Sequence, residues 1–253
     1  MIRRLSIFLS ALAFLVIACG APAAPALTDP KEILTKAVET VAAAKALHAD
    51  LSLNGTVNAD VMGTGSPSSF DLGSTTAAMD LDIAGKKAKI TFSVPALFGL
   101  TGEVIQIGTT SYVKTTLTGA QYQKQESGST VPEAATDPVK ALQEFRTALD
   151  KPGVDPTKLE DAQCGQKSCY QVEIELTGDE ISALASAPPD AQLSNTSMKI
   201  LTAVEKDTLR PASVTVTVDA GEFGNVTFTL TMSKWDEAVT VSEPPADQIA
   251  PTP

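Results

Sequence analysis

The chain has 253 residues, of which 19 are basic and 30 are acidic, and its formal net charge is −11 at pH 7. A surface this acidic repels the phosphates of nucleic acids and anionic lipid head groups, so we expect no nucleic-acid partner and no peripheral electrostatic membrane binding. The length supports one sizeable core, and the composition marks no second domain boundary.

The first 18 residues have the parts of a bacterial lipoprotein signal. Two arginines are followed by a mostly apolar stretch at residues 5–17, which is shorter than a membrane-spanning helix needs. Residues 16–19, Val-Ile-Ala-Cys, match the lipobox that precedes lipidation. We therefore expect residues 1–18 to be a signal peptide and Cys19 to carry the lipid. The alternative is an ordinary secretory signal with an accidental cysteine.

The anchor at Cys19 would hold the mature protein to the extracytoplasmic face of the cell membrane. Each buried acyl methylene contributes about 0.8 kcal/mol, so the folded part needs no transmembrane helix. Residues 19–28 are rich in alanine and proline, which predicts a short lipidated tether. Residues 29–253 are then expected to form a single domain.

The segment after the tether predicts a helix followed by a long strand. Asp29 precedes Pro30, which is the order of an N-cap and a favoured first helical residue. Apolar residues recur at helical spacing as far as Val41. From Leu47 to Val61 apolar and polar positions alternate, which is typical of a strand with one wet face.

The rest of the chain alternates in the same way and predicts an α+β fold dominated by antiparallel sheet. A Gly/Ser/Pro-rich loop is expected near residues 63–74. Further helices are predicted at residues 137–149 and after Thr177, where Thr177 and Glu180 have the spacing of a capping box. Strands are predicted at residues 77–83, 88–94, 104–107, 111–116, 170–176, 198–204, 212–218 and 226–232.

Cys164 and Cys169 lie in the segment Cys-Gly-Gln-Lys-Ser-Cys of a chain predicted to be exported. Export favours a disulfide that closes this short turn, and the alternatives are two free thiols or a redox pair. The spacing differs from the CxxC of redox proteins, and a single histidine gives no zinc ligand set.

No catalytic motif is evident, so we expect neither an enzyme nor a cofactor or metal site. His48 falls on the polar alternation of the first strand. Asp80 and Asp82 share one strand face and formally resemble a carboxylate pair, but their apolar neighbours mark that face as the wet one. We interpret all three as solvated surface groups, against a general base or ligand role for the histidine.

Residues 94–100, Val-Pro-Ala-Leu-Phe-Gly-Leu, form the most apolar loop-like run after the signal. They could form an apolar lip at a cavity mouth, facing a membrane or a lipid donor. They could equally pack beneath the sheet edge. The sequence leaves both alternatives open.

Three stretches of the chain, residues 29–55, 102–124 and 206–247, resemble the LppX and LprG lipoprotein family, whose fold is LolA-like. The resemblance implies a curved antiparallel half-barrel with helices across its concave side. It also implies an apolar cavity that accepts acyl chains, and a role in binding or carrying lipids or lipoglycans. It supplies no catalytic residue.

On this hypothesis the ligand is an acyl lipid or lipoglycan held between sheet and helices by a monomeric protein, and the sequence does not identify a protein partner. The rival hypothesis is a surface sensory or protein-interaction domain of the same fold, with a core filled by its own side chains. Strand parity and helix spacing select the residues expected to contact lipid: Leu53, Val57, Leu81, Ile90, Phe92, Leu142 and Phe145.

Overall fold

The computed structural model describes residues 26–59, 68–126, 138–185 and 195–251. The predicted signal peptide and Cys19 lie outside these residues. The described helices are α1 (Pro30–Ala43), α2 (Pro138–Leu149) and α3 (Gly178–Ala185), with 3₁₀ turns at Gly221–Phe223 and Ala246–Gln248. The described strands are β1 (Ala46–Ala59), β2 (Ser68–Asp71), β3 (Thr75–Asp82), β4 (Lys87–Val94), β5 (Leu100–Ile107), β6 (Thr110–Thr115), β7 (Gln123–Glu126), β8 (Thr157–Lys158), β9 (Ala162–Cys164), β10 (Lys167–Thr177), β11 (Ser197–Glu205), β12 (Pro211–Asp219) and β13 (Gly224–Ser233).

All described strands belong to one antiparallel sheet. Its order is β7-β6-β5-β4-β3-β1-β13-β12-β11-β10-β8, with β2 paired to β1 and β9 paired to β10. The first and last long strands, β1 and β13, are neighbours in the middle of the sheet. The chain therefore has the α+β architecture dominated by antiparallel sheet that the sequence predicted, with helices on one face.

Strand β2 was not predicted, because the sequence indicated a loop from residue 63 to 74. Its residues Ser-Ser-Phe-Asp carry no apolar alternation, and the strand exists because β1 offers a free edge to Thr56 and its neighbours. A turn around Ser74, which has φ 67°, separates β2 from β3 on the same edge of β1. Backbone pairing with β1, which local sequence patterns do not show, therefore determines that these residues form a strand.

Helices α1 and α3 begin where their capping residues predict. One carboxylate oxygen of Asp29 accepts hydrogen bonds from the backbone N–H groups of Lys31, at 2.8 Å, and Glu32, at 3.4 Å. At α3 the Glu180 carboxylate accepts a bond from the Thr177 N–H at 2.7 Å. The bonds at both helices satisfy backbone donors that a helix start leaves unpaired. The bonds from Thr177 also lower the pKa of Glu180.

The main core lies between α1 and strands β10 and β11. Ile33 and Leu34 of α1 are buried against Val172 of β10 and Val204 of β11. Residues of α2, including Leu149 and Phe145, pack around the same cluster. Each such aliphatic side chain contributes about 1.5–3 kcal/mol on burial, so this cluster attaches the helices to one side of the sheet.

A second, smaller core lies on the opposite face of the sheet. After β13 the chain crosses to β5 and β6, where Val241 packs against Ile105, Tyr112 and Tyr122. The N–H of Tyr122 donates to the Gln248 carbonyl, and the N–H of Ala250 donates to the Tyr122 carbonyl, each at 2.8 Å. The C-terminal segment thus covers the outer face of β5 and β6.

The predicted disulfide is present in the structure. Cys164 of β9 and Cys169 of β10 are joined, with their Cα atoms 6.0 Å apart. Gly165, in the turn between the two strands, has φ 65°, a conformation that glycine adopts without steric cost. The bond closes the β9–β10 hairpin at the edge of the sheet.

Candidate functional site

Strand register assembles a continuous apolar surface on the face that carries α1, which we call the inner face. Ile174, Ile200, Val216, Phe228 and Leu53 are successive cross-strand partners on β10, β11, β12, β13 and β1. Because neighbouring partners point to the same side of a sheet, this row is apolar across five strands.

The row itself ends at β1, because the partner of Leu53 on β3 is Thr75, but the apolar face continues two residues away along β1. Leu51 is paired with Ala77 of β3, and Ala77 with Phe92 of β4. Two residues after Ala77 on β3, on the same face, Met79 is paired with Ile90. The apolar inner face therefore extends from β10 to β4.

Burial divides the inner face into two halves. At β10 and β11 the side chains are buried beneath the helices, as the core cluster shows. On β13, β1, β3 and β4 most inner side chains are half-buried, and Phe228 keeps 38% of its surface exposed, whereas Leu47, Ala49 and Ala88, at the end away from residues 94–100, are buried. We call this second region, formed by the inner-facing residues of these four strands that are not buried, the open half.

Five of the seven predicted contact residues lie together on the inner face. Leu53, Val57, Leu81, Ile90 and Phe92 share one side by register, and each is half-buried. The parity argument from the sequence therefore placed these residues on a common side of β1, β3 and β4. Contact of these residues with lipid remains a prediction.

The two predicted helix residues have different outcomes. Phe145 packs against the main core, beside the covered half of the inner face rather than on the open half. Leu142 belongs to α2, but its side chain lies outside the part of the chain that the structure describes. The five predicted strand residues thus share one surface of the sheet, and the two predicted helix residues add nothing to that surface.

Gly102 leaves room for the aromatic ring of Phe92 over β5. A Cβ atom added at this glycine of β5 would lie 2.4 Å from the Cζ atom of its cross-strand partner, Phe92. The ring therefore occupies the space above β5 that another side chain would fill. Sequence reasoning missed this arrangement, because it depends on which residue of β5 faces Phe92.

Two glycines allow the backbones of β1 and β13 to approach closely at one end of the open half. Gly55 has φ 119° and Gly224 has φ 111°. A Cβ atom added at Gly55 would lie 2.0 Å from the Asn225 carbonyl oxygen, and one at Gly224 equally close to the Thr56 oxygen. Only glycine fits such an approach, which is a common cause of sheet bending.

The outer face of the same strands is polar. His48 lies there as predicted, with its Nδ1 atom 2.7 Å from an Asp80 oxygen and its Nε2 atom 3.4 Å from an Asp50 oxygen. A groove of about 460 Å³ follows these strands and is lined by hydroxyl-bearing residues, including Ser52, Thr76 and Thr229. Sequence reasoning did not predict a groove on this face.

Glu103 of β5 is the centre of a charged cluster beside the outer core. It accepts a hydrogen bond from the Tyr122 hydroxyl and pairs with the Lys89 ammonium at 3.1 Å. Burial alone raises the pKa of this carboxyl, but the bonds from Tyr122 and Lys89 and the charges of Lys89 and Lys114 outweigh it and lower the pKa. The arrangement favours ionised Glu103 in the folded state.

The apolar run at residues 94–100 forms the turn between β4 and β5. Leu97 is 44% exposed and Phe98 is 94% exposed, so packing beneath the sheet edge is excluded for Phe98. Phe98 also has φ 55°, a left-handed conformation that costs a residue with a side chain roughly 1–2 kcal/mol. Burial of Phe98 within the described chain does not compensate this cost.

Two further observations concern the described residues alone. They contain no group of three or more His, Cys, Asp or Glu side chains that could hold a metal ion. Among the same residues, every helix is too short or too polar to cross a bilayer.

Comparison with known proteins identifies the fold. The Mycobacterium tuberculosis lipoprotein LppX superposes with a TM-score of 0.51 at 15% identity, over 84% of this chain and 98% of LppX. LprF from Mycobacterium bovis gives 0.48 at 17% identity, over 85% of this chain and 96% of LprF. A LolA superfamily protein from Nitrosomonas europaea gives 0.29 at 11% identity, over 89% and 99% of the two chains. No family model and no curated protein matches the sequence. The likeness to LppX shows a shared fold.

Proposed function

We propose, on the premise that the chain has the fold of LppX, that it is a non-enzymatic lipid carrier. The open half of the inner face would hold the acyl chains of a lipid or lipoglycan. The supporting observation is its contiguous, half-exposed apolar surface on an acidic protein whose opposite sheet face is polar. Soluble domains seldom leave such a surface unoccupied.

The energetics of this surface suit transfer better than permanent storage. Removing an acyl methylene from water contributes about 0.8 kcal/mol, and a bilayer already provides that burial. A protein surface therefore needs only to match the bilayer for a lipid to move in either direction. The open half offers this match through aliphatic and aromatic side chains such as Leu53, Ile90 and Phe92.

We further propose that Cys19 carries the lipid anchor and that the protein acts at the extracytoplasmic membrane surface. The net charge of −11 argues against electrostatic attachment, which leaves the covalent anchor predicted by the lipobox. Disulfide-bonded Cys164 and Cys169 are consistent with an exported protein.

The decisive experiment is native mass spectrometry of residues 19–253 with Cys19→Ser, purified without detergent and followed by organic extraction. We expect about one co-purified lipid per chain and uptake of added lipid by emptied protein. A bare mass with no uptake would refute the carrier and favour the interaction domain with a self-filled core.

A matched pair of variants tests the location of the lipid. Phe92→Asp places a charge on the inner face and should reduce lipid retention at least about tenfold, because an acyl chain cannot solvate a carboxylate. Thr91→Asp changes the adjacent residue on the outer face and should retain lipid. Circular dichroism of both variants establishes that each is folded. Equal retention by the two variants would place the lipid elsewhere.

A further inference from the structure

Exposed apolar residues concentrate at one end of the strands. The described chain has six exposed large apolar side chains, and four lie in turns at the end where β4 finishes and β5 begins: Leu97, Phe98, Leu117 and Phe223. Two of these turns are adjacent, because the Thr116 N–H donates to the Thr101 carbonyl at 2.9 Å. We call Leu97, Phe98 and Leu117, carried by these two turns, the apolar rim.

The two turns of the apolar rim carry no charge. Residues 93–102 and 115–123 contain no Asp, Glu, Lys or Arg, although the chain has 30 acidic and 19 basic residues. Leu117 is 77% exposed and Phe98 is 94% exposed at their tips. Uncharged tips of this kind enter a lipid interface without the cost of desolvating an ion.

The backbone of these turns is largely satisfied internally. The N–H groups of Leu97, Gly99 and Leu100 donate to the carbonyls of Val94, Pro95 and Leu97 at 3.0–3.1 Å. The N–H groups of Thr118 and Gly119 both donate to the Thr115 carbonyl at 3.1 Å. Internal pairing of backbone donors is what an apolar environment requires.

The apolar rim is continuous with the open half of the inner face. Directly behind the first tip, Val94 of β4 is paired with Leu100 of β5, and both are half-buried. Phe92 lies two residues before Val94 on β4, further from the tip, and its ring covers Gly102. An acyl chain leaving a membrane at the tips would thus meet an unbroken apolar path to the proposed binding surface.

The predicted tether has the length needed to bring the apolar rim to the anchoring membrane. The Leu27 N–H donates to the Tyr170 hydroxyl at 3.0 Å, near the opposite end of β10. Thr177 is the last residue of β10, at the same end of the strands as the apolar rim. From Tyr170 to Thr177 the strand spans about 23 Å, because each residue of a strand adds about 3.3 Å. Cys19 precedes Leu27 by eight positions, and an Ala/Pro-rich segment of that length extends to about 25 Å.

We propose that the apolar rim inserts into the leaflet that carries the Cys19 anchor, and that lipid passes over Val94 and Leu100 between this leaflet and the inner face. The inference rests on the proposed function and adds to it a docking surface and an entry route. The partner is the surface of a lipid bilayer, recognised by apolar insertion without head-group charge.

The chain offers favourable chemistry for a direct test. It has a single tryptophan, Trp235, which lies beyond the far end of β13 with the Arg210 guanidinium 5.5 Å from its ring. Of the three cysteines, two form the disulfide, so Cys19 is the one available thiol of residues 19–253. Coupling Cys19 to a maleimide lipid in phosphatidylcholine vesicles therefore reproduces the anchor.

The experiment measures tryptophan quenching by phosphatidylcholine brominated near the top of its acyl chains. The reporter is Phe98→Trp in a Trp235→Phe background, and the matched control is Leu159→Trp, an exposed leucine at the opposite edge of the sheet. Because interfacial insertion reaches about 5–10 Å, we expect brominated vesicles to quench Trp at position 98 about twofold or more. The control and native Trp235 should retain their fluorescence.

Two outcomes would overturn the inference. The first is quenching at position 98 no greater than at position 159. The second is quenching only by separate brominated vesicles added to protein anchored on unbrominated ones, which would place the rim against a different surface. If either occurs while lipid uptake persists in the mass spectrometric assay, the rim inference fails and the carrier stands. Loss of lipid uptake by the unmodified chain would instead refute the carrier.

Discussion

At the scale of single residues, two features affect the free energy of unfolding: one lowers it and the other makes it depend on pH. Phe98 is a bulky residue in a left-handed conformation, and it is almost fully exposed. Glu103 is an acid whose ionised form is stabilised by neighbours on three strands or turns. The proposed insertion of the apolar rim would account for the first, and the second attaches Tyr122 of the outer core to β5.

Phe98→Asn should stabilise the soluble chain by about 1 kcal/mol, because asparagine adopts the left-handed conformation at lower cost and little burial is lost. For a domain of this size the melting temperature should rise by roughly 2–4 °C in a circular dichroism melt. Leu97→Asn changes its neighbour, which does not have a positive φ, and should give no such rise. A lower melting temperature for Phe98→Asn would contradict the assignment of strain.

Glu103→Gln should destabilise the fold by about 1–3 kcal/mol at pH 7, since it removes a charged partner of Tyr122 and Lys89. The folded-state pKa of Glu103 is lowered from its ordinary value of 4.5, so its contribution is fully present above that value. It is lost as the pH falls through the folded-state pKa. Urea unfolding at pH 7 and pH 3 should therefore show the difference between variant and parent shrinking in acid.

At the scale of elements, the edge of the sheet at β9 and β10 depends on a covalent bond. The disulfide closes a hairpin with a sequence separation of five, and Cys169 is completely buried. A short loop gives a modest entropic effect, and the bond also fixes β9 beside β10 where few other strands contact it.

Replacing the pair, as Cys164→Ser with Cys169→Ala, should lower the free energy of unfolding by about 2 kcal/mol, the loop-entropy value for a closed loop this small. Denaturant titration measures the loss. The parent protein in excess reductant should lose a similar amount, and the variant should not respond to reductant. If reductant also lowered the free energy of unfolding of the variant, the loss seen in the parent could not be assigned to the bond between Cys164 and Cys169.

At the scale of the whole molecule, the helices are placed asymmetrically on the sheet. They pack over β10 and β11, while most inner residues of β13, β1, β3 and β4 stay half-exposed. One half of the inner face therefore stabilises the fold and the other half is available to a ligand. The outer core formed by the C-terminal segment supports β5 and β6, the strands next to the open half.

A ligand that fills the open half should stabilise the folded state by mass action. At a free lipid concentration about 100 times its Kd, the expected gain is about 2.7 kcal/mol, which raises the melting temperature by several degrees. Phe92→Asp should lose this increment and Thr91→Asp should keep it. Equal ligand-induced shifts in the two variants would argue against binding on the inner face.

The sequence by itself determined which side of each long strand is apolar and where α1 and α3 begin, and it favoured a disulfide between Cys164 and Cys169. These features depend on local rules: a side-chain period of two in strands, capping within one helical turn, and closure of a short hairpin. Leu53, Ile90 and Phe92 could therefore be assigned to the apolar faces of their strands before the order of those strands in the sheet was known.

Only the tertiary structure decided that β1 lies beside β13, that Phe92 covers Gly102, and that Phe145 packs over the covered half of the inner face. It also decided that the tail covers β5 and β6 and that Phe98 stays exposed. Each depends on contacts between segments far apart in the chain. Local periodicity carries no information about such pairs, because it fixes the face of a strand and not its neighbour.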